Sequence, residues 1–112
     1  MSVNITVLLE GSLTANAQTT YYTCPASTKV QIDKFTGTNT TGVAATLSVN
    51  LVPSGGAAGA SNLIVSAKSL AAGETYTFPE ITQHYLSAGG FVSTLGGTNN
   101  AISIRISGRA VT

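Results

Sequence analysis

An alternation of apolar and polar residues recurs along this chain and sets what it can fold into. In Val3-Asn4-Ile5-Thr6-Val7-Leu8-Leu9 the apolar side chains fall at positions 3, 5, 7 and 9, the spacing that puts every second residue on one face of a β-strand. Ala45-Thr46-Leu47-Ser48-Val49-Asn50-Leu51 repeats the pattern most cleanly, with 45, 47, 49 and 51 inward. Ile102-Ser103-Ile104-Arg105-Ile106 turns three isoleucines inward and Ser103 and Arg105 outward.

Weaker versions fill the intervals. Thr19 to Thr23 is rich in β-formers and is closed by Cys24-Pro25, since proline ends a ladder to which it must donate. In Thr28 to Ile32 the apolar residues are in phase, but Phe35 falls on the opposite phase, which predicts a bulge or bend near Asp33-Lys34. Thr38-Asn39-Thr40-Thr41-Gly42 is turn chemistry. Positions 53–61, Pro and small residues, predict a flexible loop, and Leu63 to Lys68 predicts a strand buried on both faces. Ala71 to Glu74 leads into a short strand over Thr75 to Phe78, and Pro79 to Ser87 suits one helical turn with Ile81, Tyr85 and Leu86 sharing a face. Phe91 to Leu95 and Ile102 to Ile106 complete eight strands.

Eight short strands separated by Gly, Pro, Asn and Ser clusters predict an all-β fold, a single antiparallel β-sandwich or closed barrel spanning residues 1–112. One long flexible connection favours the jelly roll, and an immunoglobulin-like order is its competitor. Residues 1–10 form either the first strand of this sandwich, the simpler reading, or an arm exchanged with a neighbour.

Charge is the second constraint. Only 8% of the 112 residues are charged, five Lys and Arg against four Asp and Glu, where soluble domains carry about 25%. Lys29, Lys34, Lys68, Arg105 and Arg109 are scattered along the chain, which argues against a phosphate-binding stripe and dedicated nucleic-acid binding. No apolar run reaches the roughly 18 residues of a membrane span. Met1 to Glu10 lacks the basic and continuous apolar regions of an export signal, so a product made in the cytoplasm is expected. A single cysteine forms no internal disulfide.

The inventory for chemistry is short. Cys24, His84 and Asp33 or Glu80 assemble on paper into a thiol-protease set, but Cys24 precedes Pro25 in a turn and lacks the helix start that lowers a thiol pKa. One His, one Cys and four dispersed carboxylates give no zinc or calcium spacing. Glu74 and Glu80 as a glycosidase pair are more simply loop residues. Ser54-Gly55-Gly56 with Gly59 lacks the lysine of a phosphate loop. Asn4-Ile5-Thr6 and Asn39-Thr40-Thr41 match the glycosylation pattern but are idle without export. Tyr21, Tyr22, Tyr76, Tyr85 and Phe91 offer a sugar-stacking platform, although strand aromatics are more often core or interface. A non-enzymatic chain without cofactor or metal is expected.

What remains is surface. Charge is depleted in the cores of protein–protein interfaces, so a chain this poor in it suits a subunit packed against copies of itself or a scaffold. The expected interface residues are Val3, Ile5, Val7, Leu9, Tyr21 and Tyr22, with Val3 to Leu9 able to add to a neighbour's sheet.

From about Tyr21 onward the chain also resembles small β-sandwich structural proteins of tailed bacteriophages. The resemblance is carried by Tyr22-Thr23-Cys24-Pro25, Thr28-Lys29-Val30-Gln31-Ile32, Asn39-Thr40 and Val49-Asn50-Leu51-Val52-Pro53-Ser54-Gly55-Gly56. It continues in Leu70-Ala71-Ala72-Gly73-Glu74-Thr75, Leu86-Ser87-Ala88-Gly89 and Ile104-Arg105-Ile106-Ser107-Gly108. It implies a virion structural role, foremost a capsid decoration (cement) protein bound to the major capsid protein on the virion surface. It further implies a homo-oligomer, dimer or trimer, with no catalytic residues. The alternative it implies is a head-fibre or tail component, with host-glycan binding then falling to the tyrosines.

Overall fold

The computed structural model describes residues 2–112. It is all-β: β1 (Val3–Leu13), β2 (Thr19–Thr23), β3 (Lys29–Asn39), β4 (Ala45–Val52), β5 (Leu63–Leu70), β6 (Thr75–Tyr76), β7 (Tyr85–Leu86), β8 (Phe91–Gly96) and β9 (Ile102–Val111). The only helical piece among the described residues is a 3-10 turn at Ala60–Asn62. Every pairing is antiparallel. The first sheet runs β1-β9-β3-β6, with β7 also on β3, and the second runs β2-β8-β4-β5. The two pack face to face as a β-sandwich.

Alternation explains the core. Ile102, Ile104 and Ile106 of β9 and Val30, Ile32 and Phe35 of β3 are buried from one side, Leu47 and Val49 of β4 and Val92 of β8 from the other. Each large side chain so buried contributes about 1.5–3 kcal/mol. The rings of Phe35 and Phe78 meet edge to face at 5.1 Å. The predicted phase slip is present: the register of β3 on β9 shifts between Ile32 and Lys34, so that Ile32 and Phe35 both face inward.

Four expectations are corrected. The described residues form nine strands, because β6 and β7 pair with two separate stretches of β3, at Gly37–Thr38 and at Val30–Gln31. No helical turn spans Pro79 to Ser87; the chain makes successive turns there, with Phe78 (φ 43°) and Gln83 (φ 68°) in the left-handed region. Ile81 and Leu86 enter the core while Tyr85 points out, 69% exposed. The Leu63 to Lys68 strand is not buried on both faces: β5 ends its sheet and leaves Leu63 exposed.

The fourth correction concerns loop 53–61, which is tied down. Asn50 Nδ2 donates to Gly59 O and Asn62 Oδ1 at 3.0 and 2.8 Å, and Asn62 Nδ2 donates to Ala57 O at 3.0 Å. Gln18 Nε2 joins this network on Asn50 Oδ1 at 3.3 Å and also donates to Ser93 Oγ at 2.8 Å.

Candidate functional site

β1 closes one end of the first sheet, and its side chains do not point where alternation alone puts them. Val3, Ile5 and Val7 stand opposite Val111, Arg109 and Ser107 of β9. In β9 the isoleucines face the core, so these partners, and with them Val3, Ile5 and Val7, face outward. Ile5 is 87% exposed. The register shifts between Val7 and Leu9, after which Leu9 pairs with Ile106 and packs against the core. Of the expected interface set, then, Val3, Ile5 and Val7 form one outward stripe and Leu9 belongs to the interior.

Tyr21 and Tyr22 lie in β2, in the other sheet, half-buried against the core. The Tyr21 hydroxyl accepts from Ala15 N at 2.9 Å and donates to Leu13 O at 3.2 Å, which pins the crossing from β1 to β2. Burial, then the neighbouring Cys24, pushes the Tyr22 phenol pKa up. The aromatics form no common platform: Tyr21, Tyr22 and Phe91 sit on the second sheet, Tyr76 and Tyr85 on the first.

The cations do gather. Lys29 and Lys34 lie on β3, Arg105 and Arg109 on β9, and these strands are neighbours. All four are exposed and paired with outward residues, so four of the chain's five cations share the outer face of the first sheet. Their scatter in the sequence hid this. The outward phase of Arg105 was legible, but the pairing of β3 with β9 joins distant parts of the chain. Arg109 Nε donates to Asp33 Oδ2 at 3.1 Å, a half-exposed ion pair of the kind worth up to about 1 kcal/mol. Arg105 Nη1 donates to Glu10 O at 3.0 Å. A cavity of ≈ 310 Å³ opens between Val3, Gln31, Tyr85, Arg109 and Val111.

The groups weighed for catalysis are apart in function. Cys24 is 1% exposed, with Sγ 3.3 Å from Thr28 O and burial raising its pKa; His84 is exposed. Glu74 Oε1 accepts from Ala71 N at 2.7 Å to close its turn, and Glu80 accepts from Tyr76. Among the described residues no three His, Cys, Asp or Glu side chains group to hold a metal ion, and no helix is long and apolar enough to cross a membrane.

Comparison with protein-family models, with curated proteins and with solved structures finds no match to this chain.

Proposed function

We propose that this protein is a bacteriophage virion structural protein, a capsid decoration (cement) subunit that binds the major capsid protein through the outer face of its first sheet. The observation that carries the reading is that face itself: an exposed apolar stripe, Val3, Ile5 and Val7, beside Lys29, Lys34, Arg105 and Arg109. Apolar contact would supply affinity, and the cations would steer and orient the subunit on a facing surface that carries acidic groups. A subunit seated across two capsomers adds its own contacts to those that must break when they separate, and many copies multiply the effect.

The strand order supports a jelly-roll reading. Because β6 and β7 share one position along β3, each sheet has four strand positions, and the chain changes sheet at every step between positions except β4 to β5. In this reading the protein is not an enzyme, needs no cofactor, is made in the host cytoplasm and ends on the virion.

The test is mass spectrometry and density mapping of purified virions. Many copies on the shell are expected, and absence from the particle overturns the reading. Rebinding to stripped capsids is expected to weaken in Ile5→Asp and in Arg105→Glu.

The head-fibre or tail reading rests on Tyr85 alone, exposed beside the ≈ 310 Å³ cavity where a sugar ring can stack. Glycan-array binding lost in Tyr85→Ala is its signature.

A further inference from the structure

The backbone of β1 carries a separate signal. Ser2 and Thr112 exchange both of their backbone hydrogen bonds, at 3.1 and 2.9 Å. Bonded and non-bonded pairs alternate along an antiparallel ladder. Asn4 with Ala110 and Thr6 with Gly108 are therefore bonded pairs, while Val3 with Val111, Ile5 with Arg109 and Val7 with Ser107 are not. The N–H and C=O groups of Val3, Ile5 and Val7 consequently point away from β9, into the open side of the sheet, since β1 is its end strand. Among the described residues, the one side chain that reaches them is the Thr6 hydroxyl, 3.4 Å from Val7 O.

Such an edge is usually guarded by lysine, proline or a bulge. Val3 to Val7 holds none of these, and its register is regular until the shift that follows Val7.

Symmetry and charge decide what fits there. The segment Val3-Asn4-Ile5-Thr6-Val7 is nearly symmetric about Ile5. An antiparallel copy related by a two-fold axis at Ile5 places Val3 against Val7, Ile5 against Ile5 and Val7 against Val3. All three are bonded pairs, each exchanging two backbone hydrogen bonds, with β-branched side chains side by side on the outer face. No charged residue lies between Val3 and Leu9, so neutral surface meets neutral surface. The two copies of Arg109 would stand three strand spacings apart, roughly 14 Å, beyond the ~8 Å Debye length. An acidic strand in the same place would set its carboxylates beside Val3, Ile5 and Val7, with the cations at least one strand behind.

We propose that the Val3–Val7 edge is a two-fold pairing site for a second copy of this chain, joining two first sheets into one continuous antiparallel sheet. The pairing goes beyond the virion reading and does not rest on it. It would double the outer face without covering it. A five-residue ladder is far smaller than a standard interface of about 1,600 Å², so the dimer is weak, with a Kd between roughly 10 μM and 1 mM.

The test uses the intact chain in solution: sedimentation over a concentration series, with residue-resolved amide exchange. Dimer formation is expected together with protection of the Val3, Ile5 and Val7 amides that grows with concentration, while the amide of Gly55 exchanges at a constant rate. Ile5→Pro removes a donor that no internal bond uses, a substitution edge strands tolerate. It should leave the melting temperature near wild type and weaken dimerisation at least roughly tenfold. Thr6→Pro, which breaks the bonded pair with Gly108, should lower the melting temperature. Ile5→Lys repeats the test without touching the backbone. A wild-type chain that is monomeric at about 1 mM, or a dimer indifferent to both Ile5 variants, overturns the proposal. Either result leaves the virion reading standing, because that reading is measured on particles.

Discussion

The side-chain amide of Asn39, at the end of β3, donates across 3.0 Å to the backbone carbonyl of Leu70, at the end of β5, and so joins the two sheets through a fully buried polar group. Its second proton goes to Val43 O at 2.8 Å, and its Oδ1 accepts from Thr41 N and Thr41 Oγ1 at 2.9 and 2.7 Å. A turn motif legible in the sequence thus doubles as the clasp between layers.

Replacing Asn39 by Ala removes the donations to Leu70 O and Val43 O and leaves Thr41 N without its acceptor, while Val43 O keeps the Thr41 hydroxyl at 2.9 Å. The expected cost is about 3 kcal/mol. Asn39→Asp should cost at least as much, because it keeps the acceptor, loses both donations and adds a buried charge. Urea unfolding of the three proteins measures this. A loss under about 1 kcal/mol in Asn39→Ala would show that water replaces the amide.

Thr94 is the counterpart. It lies opposite Val49 in β8, fully buried, and its hydroxyl has no hydrogen-bond partner. An unsatisfied buried hydroxyl costs about 1–3 kcal/mol, and valine has nearly the same shape. Thr94→Val is expected to raise the urea midpoint with an unchanged m-value. A lowered midpoint would contradict the assignment.

These residues also show what the sequence could tell. The bulge in β3 was legible because Ile32 and Phe35 cannot both be inward without one. The inward side of β1 was not. Alternation groups Val3, Ile5 and Val7 on one face but does not say which, and the register shift before Leu9 reverses the choice. Pro79 to Ser87 was opaque for a different reason: its tight turns place Phe78 and Gln83 at positive φ, where no glycine marks them. The basic face was illegible because sheet pairing assembles it from two strands that are remote in sequence.

Cys24 is held on both sides of its peptide unit, N–H to Gly90 O at 2.8 Å and C=O from Gly89 N at 2.9 Å. Burial pushes its thiol pKa up, so the reactive thiolate is scarce at neutral pH as well as shielded. A thiol reagent is expected to label the native protein only through opening, roughly a thousandfold or more slower than in denaturant. Native labelling at the denatured rate would mean that this end of the sandwich is open in solution.

The Tyr76 hydroxyl donates to Glu80 Oε2 at 2.7 Å, and the pair predicts the sign of two pH effects. That hydrogen bond, helped by a backbone one and by Lys68 against the opposing effect of burial, holds the Glu80 carboxyl below its ordinary 4.5. The unfolded chain therefore binds more protons near pH 4.5, and stability rises with pH there. The contribution is complete above 4.5 and is lost as pH falls through the folded value. For Tyr76 the hydrogen bond to Glu80, then burial, then the charges of Glu80 and Glu74 raise the phenol above 10.0. Its contribution is complete below 10.0 and is lost as pH climbs through the folded value. Both groups face solvent, so the titrations report the effect more sharply than the unfolding midpoint does. In Tyr76→Phe the Glu80 carboxyl should titrate closer to 4.5 by carbon-13 NMR, and in Glu80→Gln the Tyr76 phenol should ionise closer to 10.0. If Glu80 titrates identically with and without the hydroxyl, the hydrogen bond does not set its acidity.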